Sequence, residues 1–281
     1  MNALPLDKNK VSRTRRLPAR PLFAHPDAAR RAAPVILGLC VLLAWQAACT
    51  YWKVPRYLVP TPLDIAHTLG EAWPELLHAL AMTLRITLYA FASAVILGVI
   101  VAFLMVQSRT IELSLMPYAI LLQVTPVVAI APLIIVWIKD PTAALVVCAT
   151  LVAIFPVISN TVLGLRSVSP GLRQLFVLQR ATRWQTLWRL RIPAALPYFF
   201  AGLRIASGLS LIGAVVAEFV AGTGGTSAGL AYLILLAGQQ LDIPLMFAAL
   251  LLIAVLGLSL YFMVVVAARL TMRRWQDAES L

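Results

Sequence analysis

The sequence predicts an all-α, polytopic membrane protein with six transmembrane helices, and three observations predict it. Of 281 residues, 61% are hydrophobic and 12% charged, with a mean hydropathy of +0.90, whereas a soluble domain carries roughly 25% charge. Six apolar runs reach or exceed the ~20 residues a spanning helix needs. The basic residues behind the net charge of +12 are sorted into alternate connecting segments. That is how membrane orientation is encoded rather than how a nucleic-acid surface is built, so no nucleic-acid partner is expected.

In chain order, residues 1–32 carry Lys8, Lys10, Arg13, Arg15, Arg16, Arg20, Arg30 and Arg31 without apolar periodicity, and read as a disordered cytoplasmic tail. A transit peptide would also be Arg-rich, but Asp7, Asp27 and the prolines oppose it. The run Ala33 to Trp52 is too long for a signal-peptide core and is the first span. From Lys53 to Met82, Pro55, Pro60 and Pro62 give an extended approach, and Ile65 to Leu80 a surface helix interrupted at Pro74. The remaining spans are Thr83 to Val106, Leu113 to Ile138, Thr142 to Leu165, Ala195 to Ala221 and Pro244 to Ala268. They complete a membrane domain over residues 33–268, followed by a cytoplasmic tail over 269–281.

Six spans place the first tail, the loop Gln107 to Glu112, the segment between the fourth and fifth spans, and the last tail on one side. That side holds 18 of the 23 Lys and Arg; the other holds Lys53, Arg56 and Lys139 with Asp64, Glu71, Glu75, Asp140 and Asp242. The asymmetry puts both termini in the cytoplasm.

Two spans are irregular. In the third, Pro117, Pro126 and Pro132 each remove a backbone hydrogen bond, and the freed carbonyls cannot face lipid. This helix therefore lines a pathway, with Pro126 and Pro132 at its centre, or is a kinked packing helix. In the fifth, Gly202, Ala206, Ser210 and Ala214 recur every four residues, a ridge of small side chains against which another helix should pack. Glu218 is next in that series and Arg204 lies on the same span. A mid-bilayer charge costs at least ~2.5 kcal/mol, so such groups are functional candidates. Fourteen residues, or ~21 Å of helix, separate the two, so each is expected near its own interface. Ser210 and Glu218 join the pathway candidates, Glu218 at the outer mouth; Arg204 and Arg85 read as interfacial side chains.

Ser169 to Pro193 is the long polar segment between spans. Ser169 before Pro170 marks one helix start; Thr182 with Gln185 has the capping-box spacing of a second, which Pro193 should end. The result is a basic, amphipathic bracket of two short helices bent near Arg180. It is either a solvated loop or a surface that grips a partner.

No catalytic pair, nucleophile with base or metal-ligand spacing appears, so no enzyme activity and no cofactor bound by this chain is expected. Gly222 to Gly229 is glycine-rich but lacks the lysine of a phosphate-binding loop and reads as an outer turn. Cys40, Cys49 and Cys148 sit in apolar runs as small hydrophobes. His25, His67 and His78 are scattered.

Several stretches carry a family resemblance: LVPTP from Leu58, MTLR from Met82, VTPVVAIAPLIIVW from Val124, FPVISNTVLGLRSVSP from Phe155 and ATRWQTLWRLRIPAALPYFFAGLRIASG from Ala181. From about Leu58 to Leu270 the chain resembles the permease subunit of bacterial binding-protein-dependent ABC importers, in the branch that serves sulfonates, taurine, nitrate and thiamine precursors. The resemblance implies the type I importer fold in the bacterial inner membrane. Its implied partners are separate cytoplasmic ATPase subunits that use ATP, a periplasmic or extracellular solute-binding protein, and a second permease copy in a homodimer. It makes the bracket, residues 166–193, the coupling segment known as the EAA loop.

The family's Glu-Ala-Ala positions fall on Gln174, Leu175 and Phe176, its glycine on Arg180 and its Leu-Pro on Ile192 and Pro193. The missing glutamate implies docking through apolar and arginine contacts from Leu175, Phe176, Arg183 and Trp184, or a partner that has changed to match. Losing the glycine removes a residue tolerant of positive φ at the bend. The stretches around the bracket and GAVVAEFVAGTGG are most similar to permeases for pyrimidine thiamine precursors or riboflavin, with sulfonate, taurine or nitrate as the alternative. A membrane scaffold that recruits a cytoplasmic protein without transport is the reading from another class.

Overall fold

The computed structural model describes residues 26–222 and 228–276, and no strand occurs among them. The chain divides into two units, Met1–Ala48 and Cys49–Leu281. Most of α1 (Pro26–Tyr51) belongs to the first, and the helix begins at Pro26, inside the stretch expected to be tail. Proline suits a first helical turn, and the alanines that follow are the strongest helix formers. Val35, Leu37 and Leu43 of α1 are exposed, as lipid-facing side chains would be.

The second unit comprises α2 (Pro62–Glu71), α3 (Trp73–Gln107), α4 (Arg109–Val124), α5 (Val127–Trp137), α6 (Pro141–Arg166), α7 (Pro170–Leu178), α8 (Arg183–Thr186), a π turn (Leu187–Arg191), α9 (Ile192–Ala221), α10 (Leu230–Gln239) and α11 (Ile243–Gln276). Among the described residues five helices are long and apolar enough to cross a membrane, or six when α4 and α5 count as one broken span.

Thr61 caps α2 in a reciprocal box with Asp64. The Thr61 hydroxyl and backbone N–H, with Arg56 3.0 Å away, hold the Asp64 carboxyl below its ordinary range. The interruption expected at Pro74 falls at Ala72 instead, because Pro74 sits in the first turn of α3, where no N–H is needed. The second span is consequently a 35-residue helix that starts ten residues before Thr83.

The third span is two helices bent by 97°. Pro126 cannot donate to the preceding turn and forces Thr125 extended, at φ −68° and ψ 121°, so α4 ends there. Pro117 and Pro132 are carried inside α4 and α5. Pro193 likewise does not end a helix. It lies in the first turn of α9, and the π turn before it, where the Ile192 N–H donates to the Leu187 carbonyl, absorbs the missing bond. At the other end α11 stays helical to Gln276, through most of the expected second tail; residues 277–281 lie outside the described residues, as do 1–25.

The core is built on α6, against which α9 runs antiparallel and α3 parallel. Small residues set the spacing. A β-carbon on Gly202 would lie 2.8 Å from the Pro156 carbonyl oxygen and one on Gly213 2.8 Å from the Ala149 Cα, distances no real side chain tolerates. Ala206, Ser210 and Ala214 on the same ridge are fully buried. Close backbone approach across such a seam supplies the dispersion contacts that hold helices together in lipid, where burial from water contributes nothing.

Candidate functional site

The bracket folds from local signals. Ser169 accepts from the Leu172 N–H at the start of α7. At α8 the Thr182 hydroxyl accepts from the Gln185 N–H at 3.2 Å, and the Gln185 side chain accepts from the Thr182 N–H at 2.9 Å. Between the helices Arg180 takes φ +53°, the left-handed conformation that glycine adopts without a Cβ penalty. The bend thus forms at the expected position, with an arginine in glycine's conformation.

Nothing in α7 or α8 is buried. Gln174, Leu175, Arg180 and Arg183 are exposed, Phe176 and Pro193 are half-buried, and Trp184 is 67% exposed. Trp184 packs edge-on against Trp188, centroids 5.7 Å apart. Behind them is a cavity of about 620 Å³ lined by Phe103, Arg173, Phe176, Arg183, Trp184 and Arg191. Such a surface, apolar rings among arginines, is suited to fill and be filled by a partner groove.

The bracket is braced by a residue that sequence reasoning left in a loop. Glu112, in the first turn of α4, is buried and pairs with Arg109 at 2.9 Å and with Arg166 at the end of α6. An acidic residue isolated on an otherwise basic face was the available signal.

At the opposite end of α9 the geometry reverses. Glu218 is 2% exposed, buried rather than lying at an open mouth. Its carboxylate accepts from the Thr83 hydroxyl at 2.8 and 3.1 Å and from the Ala231 N–H at 3.0 Å. The Thr83 oxygen in turn accepts from the Leu230 N–H at 2.9 Å. Two N–H groups that α10 would otherwise leave open are thereby capped by side chains of α3 and α9. Gly229 lies directly against the carboxylate, where a β-carbon would come within 2.3 Å of Oε1. Nothing in the sequence singles out Thr83, and Gly229 reads there only as the end of a glycine-rich outer turn.

The remaining charges and pathway candidates are placed as follows. Ser210 donates to the Ala206 carbonyl of its own helix at 2.7 Å. The Arg85 guanidinium stacks over Tyr89 at 5.6 Å. Arg204 buries its Nε without a hydrogen-bond partner among the described residues. Pro126 and Pro132 are exposed along α4 and α5, as are Tyr118, Leu121 and Val128. Among the described residues no group of three or more His, Cys, Asp and Glu could hold a metal ion.

The comparisons with known proteins bear on this arrangement. Residues 94–273 match the family described as binding-protein-dependent transport system inner membrane component. The chain is 37% identical over 246 residues to the riboflavin transport system permease protein of Chloroflexus aurantiacus, covering 86% of this chain and 89% of that one. It is 31% identical over 226 residues to the formylaminopyrimidine transport permease protein of Halalkalibacterium halodurans, covering 80% and 88%. A solved amino acid ABC transporter shares the fold, with a TM-score of 0.59 at 20% identity over 74% of this chain and 97% of that one. The broken third span, the α6 and α9 seam and the bracket between them therefore belong to a recognised architecture: the chain is a member of the binding-protein-dependent transport system inner membrane component family, an ABC importer permease.

Proposed function

We propose that this permease is driven from its bracket side by separate cytoplasmic ATPase subunits, which grip Leu175, Phe176, Arg183 and Trp184. The carrying observation is that α7 and α8 of the bracket bury no residue, while α8 and the π turn run without a helical break into α9, which packs against α6, α3 and α11. A partner that moves the bracket as a rigid body moves α9 with it. The basic side is the cytoplasm and both termini lie there; a solute-binding protein delivers from the other side.

A second copy completes the pathway. The break between α4 and α5 leaves backbone groups near Pro126 that hydrocarbon cannot satisfy, and the surrounding face is exposed in the single chain. A homodimer apposing α4 and α5 around a wet path satisfies both, with Pro126 and Pro132 beside it. The solute is a pyrimidine thiamine precursor or riboflavin, as the names of the two relatives suggest.

The test is ATP-driven uptake into vesicles containing the permease, its ATPase and its binding protein. Riboflavin and formylaminopyrimidine are offered against taurine, an aliphatic sulfonate and nitrate. Saturable uptake of one of the first two is expected. Preference for a rival would overturn the substrate assignment, and ATPase recruitment without uptake of any solute would establish the scaffold reading instead.

A further inference from the structure

From Arg183 to Ala221 the chain is one helical run of 39 residues. Trp184 and Glu218 stand near its two ends, separated by ~50 Å at 1.5 Å per residue. We propose that Glu218 is a positioning residue rather than a solute ligand: with Thr83 it fastens α10 to the far end of this rod, so that displacement of the bracket is delivered to α10. The proposal rests on the coupling reading given above.

The bonding of the carboxylate supports a fastening. It receives the Thr83 hydroxyl and the Ala231 N–H, it is almost entirely buried, and Gly229 closes over it. Little of its surface is left for a solute. The hydroxyl is polarised in one direction, accepting from Leu230 and donating to Glu218, so the three groups form a single chain of bonds that fails together if any member is lost.

The design of α10 supports it from the other side. Its N-cap is Gly229, which has no capping side chain. A serine there would satisfy the first turn locally and leave α10 independent of its neighbours. Here the cap comes from residues 13 and 147 positions away, one on α9 and one on α3. At ten residues, or ~15 Å, α10 is half the length needed to cross a bilayer and depends on its neighbours for its place. Between α10 and the first turns of α3 lies a cavity of about 230 Å³, lined by Glu75, His78, Ala79, Tyr232 and Leu233. Movement of α10 changes the width of this space directly.

Hydrogen exchange on the permease co-purified with its ATPase subunits in lipid nanodiscs tests the link, without nucleotide and with ATP plus vanadate. In the wild type, nucleotide should alter exchange in the bracket, residues 170–188, and at the Leu230 and Ala231 amides. Thr83→Val should speed exchange of those two amides by ~10-fold or more, since it removes a buried hydrogen-bond network. It should also abolish their response to nucleotide while the bracket still responds. Thr83→Ser, which keeps the hydroxyl, should restore the slow exchange of the two amides and their response to nucleotide. An α10 response that persists undiminished in Thr83→Val and in Glu218→Gln would overturn the link and leave the coupling reading intact. A wild-type bracket that does not respond would overturn the coupling reading and the link together.

Discussion

The two ends of α9 spend the same kinds of residue in opposite ways. At the bracket the arginines of α7 and α8 are exposed, and Trp184 is 67% exposed although it packs against Trp188. At the far end a carboxylate, a hydroxyl and two backbone N–H groups are joined by hydrogen bonds of 3.1 Å or less in a buried site. Exposed groups are free to meet an external partner, whereas buried groups with their bonds made hold a shape. Stability and coupling should therefore separate when each end is altered in turn.

The seam between the ends should give the largest effect. Gly202→Val puts a branched side chain where even a β-carbon lies 2.8 Å from backbone, and overpacking by two further carbons costs ~3 kcal/mol or more. Size-exclusion profiles after heating should show the variant lost well below the wild-type midpoint. At the buried end, Gly229→Ala displaces the Glu218 carboxylate and should cost about 1–3 kcal/mol, the penalty of leaving buried partners unmade. Thermal unfolding in detergent reads it. At the open end, Leu175→Asp should change that midpoint by no more than ~0.5 kcal/mol in equivalent stability, as exposed substitutions do, yet weaken ATPase association in a pull-down. Equal destabilisation by Leu175→Asp and Gly229→Ala would break the contrast.

The smallest effect is expected at the bend. Arg180 sits at φ +53°, where a non-glycine residue bears a strain of ~1 kcal/mol. Arg180→Gly relieves that strain and adds unfolded-state entropy of similar size. The unfolding midpoint should stay within about a degree, and amide exchange near Gln179 and Ala181 should be unchanged. A large shift in either would mean that the arginine side chain, rather than the backbone, shapes the bend.

What was legible in the sequence follows the range of the interaction. Ser169, Thr182 and Gln185 act over three residues, so the two helices of the bracket could be read directly. The four-residue spacing of Gly202, Ala206, Ser210 and Ala214 gave the packing face but not its partner, α6. Pro126 marked an irregular span, while the 97° break depends on how Thr125 yields to the following proline. Pro193 misled because a π turn, which leaves no pattern in composition, took up its missing bond. Glu218 was noticed for its charge, but its partner Thr83 lies 135 residues away, and no periodicity connects them.

ATP-driven solute uptake by Trp184→Asp, beside the wild type in the same vesicles, tests the coupling assignment most directly. The side chain is mostly exposed, so the variant should insert and unfold as the wild type does. Burying an aspartate at the centre of a docking surface should reduce both ATPase association and uptake by ~10-fold or more. Wild-type uptake by Trp184→Asp with its matched ATPase would contradict the account.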